Sequence, residues 1–143
     1  MRRLRLKTVF EHSAGGVVVT ADGKLVVVRT VNLKGKPVIT LPKGLLERGE
    51  SPLAAARREV HEETGFEVRA TSEKPVGILE YWFVRGGVRV KKRVDFFGFG
   101  VVGGDASLHD SEVDQVLILS PLDAIAMLSY PTEADLARVA MER

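Results

Sequence analysis

The chain contains no cysteine, which removes disulfides, thiolate metal sites and cysteine nucleophiles together and fits a reducing, cytoplasmic setting. An excess of one charge is also lacking. The 21 Lys and Arg stand against 19 Asp and Glu, a formal net charge of +2, so the average composition does not mark a polyanion binder and nucleic acid is not an expected partner. No apolar run reaches the ~18 residues of a membrane span, and the basic start MRRLRLKTVF has no apolar core, so neither a span nor a secretory leader is expected. Repeats, low-complexity tracts and nucleophile-elbow patterns are absent as well. What remains is 143 residues of which 45% are hydrophobic, enough to bury one core, and a single domain over 1–143 is expected.

Val17 to Thr20 and Leu25 to Arg29 are β-branched runs around Asp22-Gly23, the signature of an antiparallel hairpin. A short strand, Val38 to Leu41, leads into the turn Pro42-Lys43-Gly44 and a loop to Glu50. Ser51-Pro52 supplies an N-cap and a first-turn proline, and Gly65 a C-terminal stop, so a helix is expected over Pro52 to Thr64. Glu67 to Ala70, Pro75 to Val84, Val88 to Val101 and Val116 to Leu119 read as strands, with Arg85-Gly86-Gly87 closing a second hairpin. Pro121 to Leu128 and Glu133 to Met141 have helical spacing, interrupted at Tyr130-Pro131. The pattern implies an α/β sandwich with a mixed β-sheet.

On the first helix Leu53, Ala56, Val60 and Thr64 form an apolar stripe, while Glu59, Glu62 and Glu63 group away from it. Like charges at these spacings repel by about 0.2–0.5 kcal/mol per pair. Arg58 reaches Glu62 at i+4, but one arginine falls short of neutralising the group, and a cation held by oxygen ligands is the better expectation. With no cysteine and only the scattered His12, His61 and His109 nearby, the ion is magnesium or manganese rather than zinc. Such an ion commonly works on phosphate, so hydrolysis of a phosphate anhydride is the reaction class implied.

Gly44, five residues, Glu50, seven residues, Arg58-Glu59-Val60, one residue, Glu62-Glu63, one residue, Gly65-Phe66 resembles the full motif of the Nudix hydrolases, the Nudix box, over residues 44–66. Ser13-Ala14-Gly15-Gly16 before Val17 resembles the family's opening strand. The resemblance implies a Nudix-type α/β/α sandwich and a pyrophosphohydrolase in which Glu59, Glu62, Glu63 and the Gly44 carbonyl hold the metal. It also implies that Glu50 and Arg58 tie the loop to the helix. The residue activating water is a box glutamate or a later one, for which Glu112 is the candidate, with an ordinary surface loop as the alternative.

The substrate of this family is a nucleoside diphosphate linked to another group. Leu41-Pro42-Lys43-Gly44, Glu80-Tyr81-Trp82-Phe83, Lys92-Arg93-Val94 before Phe96-Phe97, and Leu128-Ser129-Tyr130-Pro131 resemble the diadenosine polyphosphate hydrolase branch. That likeness implies that Lys43, Tyr81 and Lys92 meet the polyphosphate and that Tyr130 stacks on a base. Each has a plainer reading: Lys92 as one charge on a solvated strand, Tyr130 as a helix cap, and Trp82 as core packing. Ile39 stands where many relatives carry tryptophan. Nucleoside triphosphates, ADP-sugars, inositol pyrophosphates, 5′-triphosphate RNA and a non-catalytic nucleotide sensor are the alternatives. The basic arm Arg2, Arg3, Arg5 and Lys7 reads as RNA-binding or as a charged edge strand.

Overall fold

The Asp22-Gly23 turn closes an antiparallel hairpin, Val18 opposite Val26 and Val19 opposite Leu25, in a computed structural model of the chain that describes residues 6–142. Gly23 has φ 81°, the left-handed conformation this turn needs. The two strands are β1 (Thr8–Val19) and β2 (Leu25–Val31). They are followed by β3 (Pro37–Thr40), β4 (Lys43–Leu45), helix α1 (Pro52–Thr64), β5 (Phe66–Ala70), β6 (Gly77–Arg85) and β7 (Val88–Gly104). A 3₁₀ turn at Ala106–Leu108, β8 (Gln115–Leu119), α2 (Pro121–Met127) and α3 (Pro131–Met141) complete the chain. Arg2, Arg3 and Arg5 of the basic arm lie outside the described residues. Among the described residues no helix is long and apolar enough to cross a membrane.

Two elements depart from expectation. β1 begins at Thr8 and runs parallel to β7 along its whole length, from Thr8 opposite Arg89 to Val19 opposite Gly100. Ala14-Gly15-Gly16 has poor strand propensity, yet Gly16 is where helix α1 packs closest: a Cβ there would overlap Phe99 and Val60. The segment after Pro42 is not loop from the start, because Lys43, Gly44 and Leu45 pair with Gly15, Ala14 and Ser13 as β4.

The single mixed sheet has eight strands, with β3-β2-β1-β7-β5 as its main path and β4, β6 and β8 paired to β1, β7 and β2. Side chains alternate across it. Ala14, Val18, Phe97 and Phe99 face α1 and pack on Ala55, Ala56 and Val60, whereas Val17, Leu25, Val94 and Phe96 face α2 and α3 and pack on Ala124, Leu136 and Ala137. This is the expected α/β/α arrangement, with a core on each side of the sheet. Each fully buried Val or Phe stabilises it by about 1.5–3 kcal/mol.

Helix α1 has the expected bounds. Ser51 Oγ accepts from Ala54 N, Pro52 opens the first turn, and Gly65 caps the C-terminus at φ 77°. A side chain at Gly65 would strike the Asp105 carbonyl, and Asp105 N donates to Gly65 O at 3.1 Å. Gly65→Ala is expected to destabilise the fold by about 2 kcal/mol, from the left-handed backbone and that overlap, as read by urea titration.

Candidate active site

Arg58 sits at the middle of the glutamates. Its Nε and Nη2 donate to the two oxygens of Glu50 at 2.8 and 2.9 Å, a bidentate fork that ties the loop before α1 to the helix. Nη2 also reaches the Leu45 carbonyl at 3.1 Å. Nη1 donates to Glu59 at 2.9 Å and to both oxygens of Glu62 at 3.3 Å, with Glu47 at 3.7 Å. The Arg58 pairing, helped by the Glu47 N–H, draws Glu50 down to about 2. Arg58 thus hydrogen-bonds Glu50, Glu59 and Glu62, but its single positive charge does not neutralise the three carboxylates. A guanidinium has five donors in a fork, enough to serve several carboxylates at once.

Glu63 is the one left out. It is 8% exposed and lies against β4, because the β4 backbone closes over that side of the helix. Its Oε1 accepts from Lys43 N at 3.1 Å. Burial first, and then the charges of Glu59 and Asp110, push its carboxyl up to about 8 against the opposing pull of the Lys43 N–H and ammonium. Glu59 is raised as well, chiefly by burial, with Glu62 and Glu112 adding to the effect and Arg58 working against it.

Glu112 thus stands within electrostatic reach of Glu59. Its loop is fastened to the end of α1, where Asp110 N donates to Glu62 O at 2.8 Å and Asp105 N to Gly65 O. Gly44 lies directly beneath Glu59, where a Cβ would overlap the carboxylate, so only glycine leaves room between that carboxylate and the β4 backbone. The residues fit a hard cation: oxygen donors, a buried carboxyl short of positive partners, and a strand position that must lack a side chain. Among the described residues no three acidic or imidazole groups already form a closed cage, since Glu59 and Glu62 are turned onto Arg58. His61 is tied through Nδ1 to the Phe66 carbonyl at 3.2 Å, which gives it a structural contact.

The four other expected residues come together on the α3 side of the sheet. Tyr81 lies opposite Lys92 in the β6–β7 ladder. Tyr81 is raised chiefly by burial, with Glu133, Tyr130 and Glu11 adding to it, whereas burial lowers Lys92, opposed by Glu11 and assisted by Lys43 and Arg85. Tyr130 holds the N-cap position of α3, the place its plainer reading gave it: its carbonyl accepts from Ala134 N at 3.0 Å, while its side chain makes no capping hydrogen bond. Trp82 faces the other way and is largely exposed, which corrects its reading as core.

Two carboxylates here escaped the sequence reading. Glu11 contacts Arg85 and lies 3.8 Å from Lys92 Nζ. Glu133, 3% exposed, accepts from Leu41 N at 2.8 Å and contacts Lys43 Nζ. Glu133 was detectable in principle, because it falls on the stripe of Leu136, Ala137 and Ala140, where a charge among apolar positions needs a buried partner. Glu133→Ala leaves Lys43 unpaired in a largely buried position and is expected to cost about 3 kcal/mol by thermal or urea unfolding. Glu133→Gln keeps the acceptor for Leu41 N and is expected to cost less.

A recess of about 570 Å³ lies elsewhere, among Val17, Thr71, Phe99 and Met141, and is lined by no titratable side chain. Size alone does not locate the site.

A model of the NUDIX domain matches residues 10–140. A Mycobacterium tuberculosis protein named MutT4 is 38% identical over 144 residues, which is 96% of this chain and 57% of that protein. An 8-oxo-(d)GTP phosphatase of Mycolicibacterium smegmatis is 36% identical over 104 residues, 73% of this chain and 30% of that one. The chain therefore spans from under a third to somewhat over half of these curated relatives. Among solved structures, a NUDIX hydrolase from Nitrosomonas europaea superposes with TM-score 0.71 at 25% identity, covering 90% of this chain and 86% of that one. A C. elegans Ap4A hydrolase superposes with TM-score 0.64 at 18% identity, covering 90% and 93%, a likeness of fold.

Proposed function

The chain belongs to the NUDIX family, and from that premise we propose that it is a magnesium-dependent pyrophosphohydrolase whose substrate is a dinucleoside polyphosphate. The observation that carries the reading is the pairing of two neighbourhoods: the carboxylates of α1 and Glu112 on one hand, and Lys43, Lys92, Tyr81 and Tyr130 on the other. Glu63 links them, because it accepts from the backbone of the same residue, Lys43, whose ammonium belongs to the second group.

Glu59, Glu62, Glu63 and the Gly44 carbonyl are the groups that would hold magnesium, which when bound neutralises phosphate charge and polarises a phosphoryl oxygen. The protein's own part is to place and to receive. Glu112 accepts a proton from the water that attacks phosphorus, the new P–O bond forms, and the bridging P–O bond breaks to release a nucleotide or shortened polyphosphate. Lys92 and Lys43 carry their charges already balanced by Glu11 and Glu133, so a long anionic chain is met by ammonium groups held in position. The Tyr81 hydroxyl offers a hydrogen bond, and the Tyr130 ring a surface for a base.

A second reading, hydrolysis of an oxidised purine nucleoside triphosphate, is favoured by the 36% identity to the 8-oxo-(d)GTP phosphatase. Lys92→Ala separates the two. Loss of one charge-assisted contact is worth about 1.5–3 kcal/mol, so KM for diadenosine tetraphosphate is expected to rise about tenfold or more. A smaller rise is expected for 8-oxo-dGTP, whose shorter phosphate chain reaches Lys92 less well. An equal rise for both, or none, argues for the second reading.

A further inference from the structure

Strand alternation divides the basic run of β7. Lys92 turns to the α3 side with Tyr81 and Glu11, while Arg89, Lys91 and Arg93 turn to the α1 side, beyond the part of the sheet that α1 covers. The register there sets Phe10, Lys91 and Trp82 side by side, with His12, Arg93 and Glu80 in the next row and Thr8, Arg89 and Val84 in the row before. Phe10 is 76% exposed and Trp82 64%. A recess of about 320 Å³ lies among Phe10, His12, Glu80, Lys91 and Arg93. Beneath it Asp95, 4% exposed, accepts from Arg93 Nε at 2.8 Å and lies 3.1 Å from His12 Nε2, so both donors are held in place.

A guarded sheet edge accounts for the cations, because charge discourages strand pairing. It does not account for the aromatics, since exposing Phe and Trp on the same face invites association. The two features together suit an anionic partner that carries flat rings. Cations two residues apart on β7 recur every ~6.8 Å, comparable to the phosphate repeat of an extended single strand. Phe10 and Trp82 stand two strand spacings apart, ~9.6 Å, so each can take its own base. The Arg89 guanidinium, 5.2 Å from the Trp82 ring centroid, provides a planar cation beside that stack. Glu80 is the one exposed carboxylate in these rows, and it suits a partner with a donor of its own, such as the ribose 2′-hydroxyl.

We propose that this face of β6, β7 and β1 binds short single-stranded RNA, with bases on Phe10 and Trp82 and phosphates along Arg89, Lys91 and Arg93. The whole-chain net charge of +2 conceals this sidedness. The surface lies on the opposite side of the sheet from Tyr81 and Lys92 and does not depend on the function proposed above.

Trp82 is the sole tryptophan, so intrinsic fluorescence reports from the platform itself. The probe is decauridylate with a 5′-hydroxyl, in EDTA, so that neither a terminal phosphate nor a metal draws it to the carboxylates. Quenching is expected at micromolar RNA, with a log–log salt slope of about −2 for three neutralised phosphates. Lys91→Glu and Phe10→Ala are each expected to weaken binding about tenfold, with small-nucleotide hydrolysis unchanged. The proposal is overturned if no quenching occurs up to about 100 µM RNA, the weak end of nonspecific binding, or if both variants bind like wild type. Reversal of the quenching by polyglutamate at a charge concentration equal to that of the RNA also overturns it, since bases would then be irrelevant. Equal affinity for the deoxy decamer overturns the assignment to RNA.

Discussion

Glu62→Gln is expected to lower magnesium-dependent turnover by about 10³-fold, because a metal ion's stabilisation of developing phosphate charge amounts to several kcal/mol and each 1.36 kcal/mol is a factor of ten. The fold should be almost unaffected. The Glu62 side chain is half-buried, 44% exposed, and its contacts to Arg58 Nη1 are the long ones at 3.3 Å, whereas Glu50 and Glu59 accept from Arg58 at 2.8–2.9 Å. The variant's melting temperature should therefore stay within a degree or two of wild type, since surface ion pairs contribute only about 0–1 kcal/mol. Circular dichroism melts beside a phosphate-release assay read both quantities. Turnover near the wild-type rate would remove Glu62 from the metal set, and a collapsed fold would make its role structural.

Glu63→Gln should behave differently, because Glu63 is buried without a countercharge of its own. Its carboxyl titrates near 8 in the folded chain, against an ordinary value of 4.5. Between these values the unfolded chain has released a proton that the folded chain retains. The unfolded state then binds fewer protons, and stability falls as pH rises through that window. Below it both states are protonated, and above it both are ionised, with the loss complete. In magnesium-free buffer the glutamine variant, which keeps an oxygen for Lys43 N, is expected to melt above wild type at pH 8 and level with it near pH 4.5. Added magnesium should raise the wild-type melting temperature at pH 8 and leave the variant's almost unmoved, because ligand binding stabilises only the state that binds. A wild-type melting temperature that is flat from pH 5 to pH 8 would mean that Glu63 carries no such burden. The same carboxyl that weakens the metal-free fold is the one the catalytic reading most needs.

What the sequence reveals and what it conceals divides by range. The bounds of α1 follow from Ser51, Pro52 and Gly65, and the β1–β2 and β6–β7 turns from Asp22-Gly23 and Gly86-Gly87, because caps and tight turns are decided by neighbours in the chain. The start of β1, Thr8 to His12, is hidden, since its partner β7 is some 80 positions away. The box glutamates are legible as a group, but not their division into those held by Arg58 and the one enclosed by β4. That division depends on how the Lys43–Leu45 backbone crosses the helix. Glu11 and Glu133 balance lysines 81 and 90 residues away, at distances where spacing carries no signal. The basic run of β7 is a final example: its alternation is readable, but which parity meets the aromatic platform and which meets Tyr81 is set by the packing of α1 and α3.

The most direct test of the central reading is a chromatographic product assay, with magnesium and with EDTA, over diadenosine tetra-, penta- and hexaphosphate, 8-oxo-dGTP, the ordinary dNTPs, ADP-ribose and an inositol pyrophosphate. Magnesium-dependent loss of the dinucleotides, with ATP among the products and the highest kcat/KM of the panel, is the predicted result. Preferential loss of 8-oxo-dGTP would keep the carboxylate chemistry and replace the substrate. Turnover that persists in EDTA, or none on any compound, would contradict the account at its root.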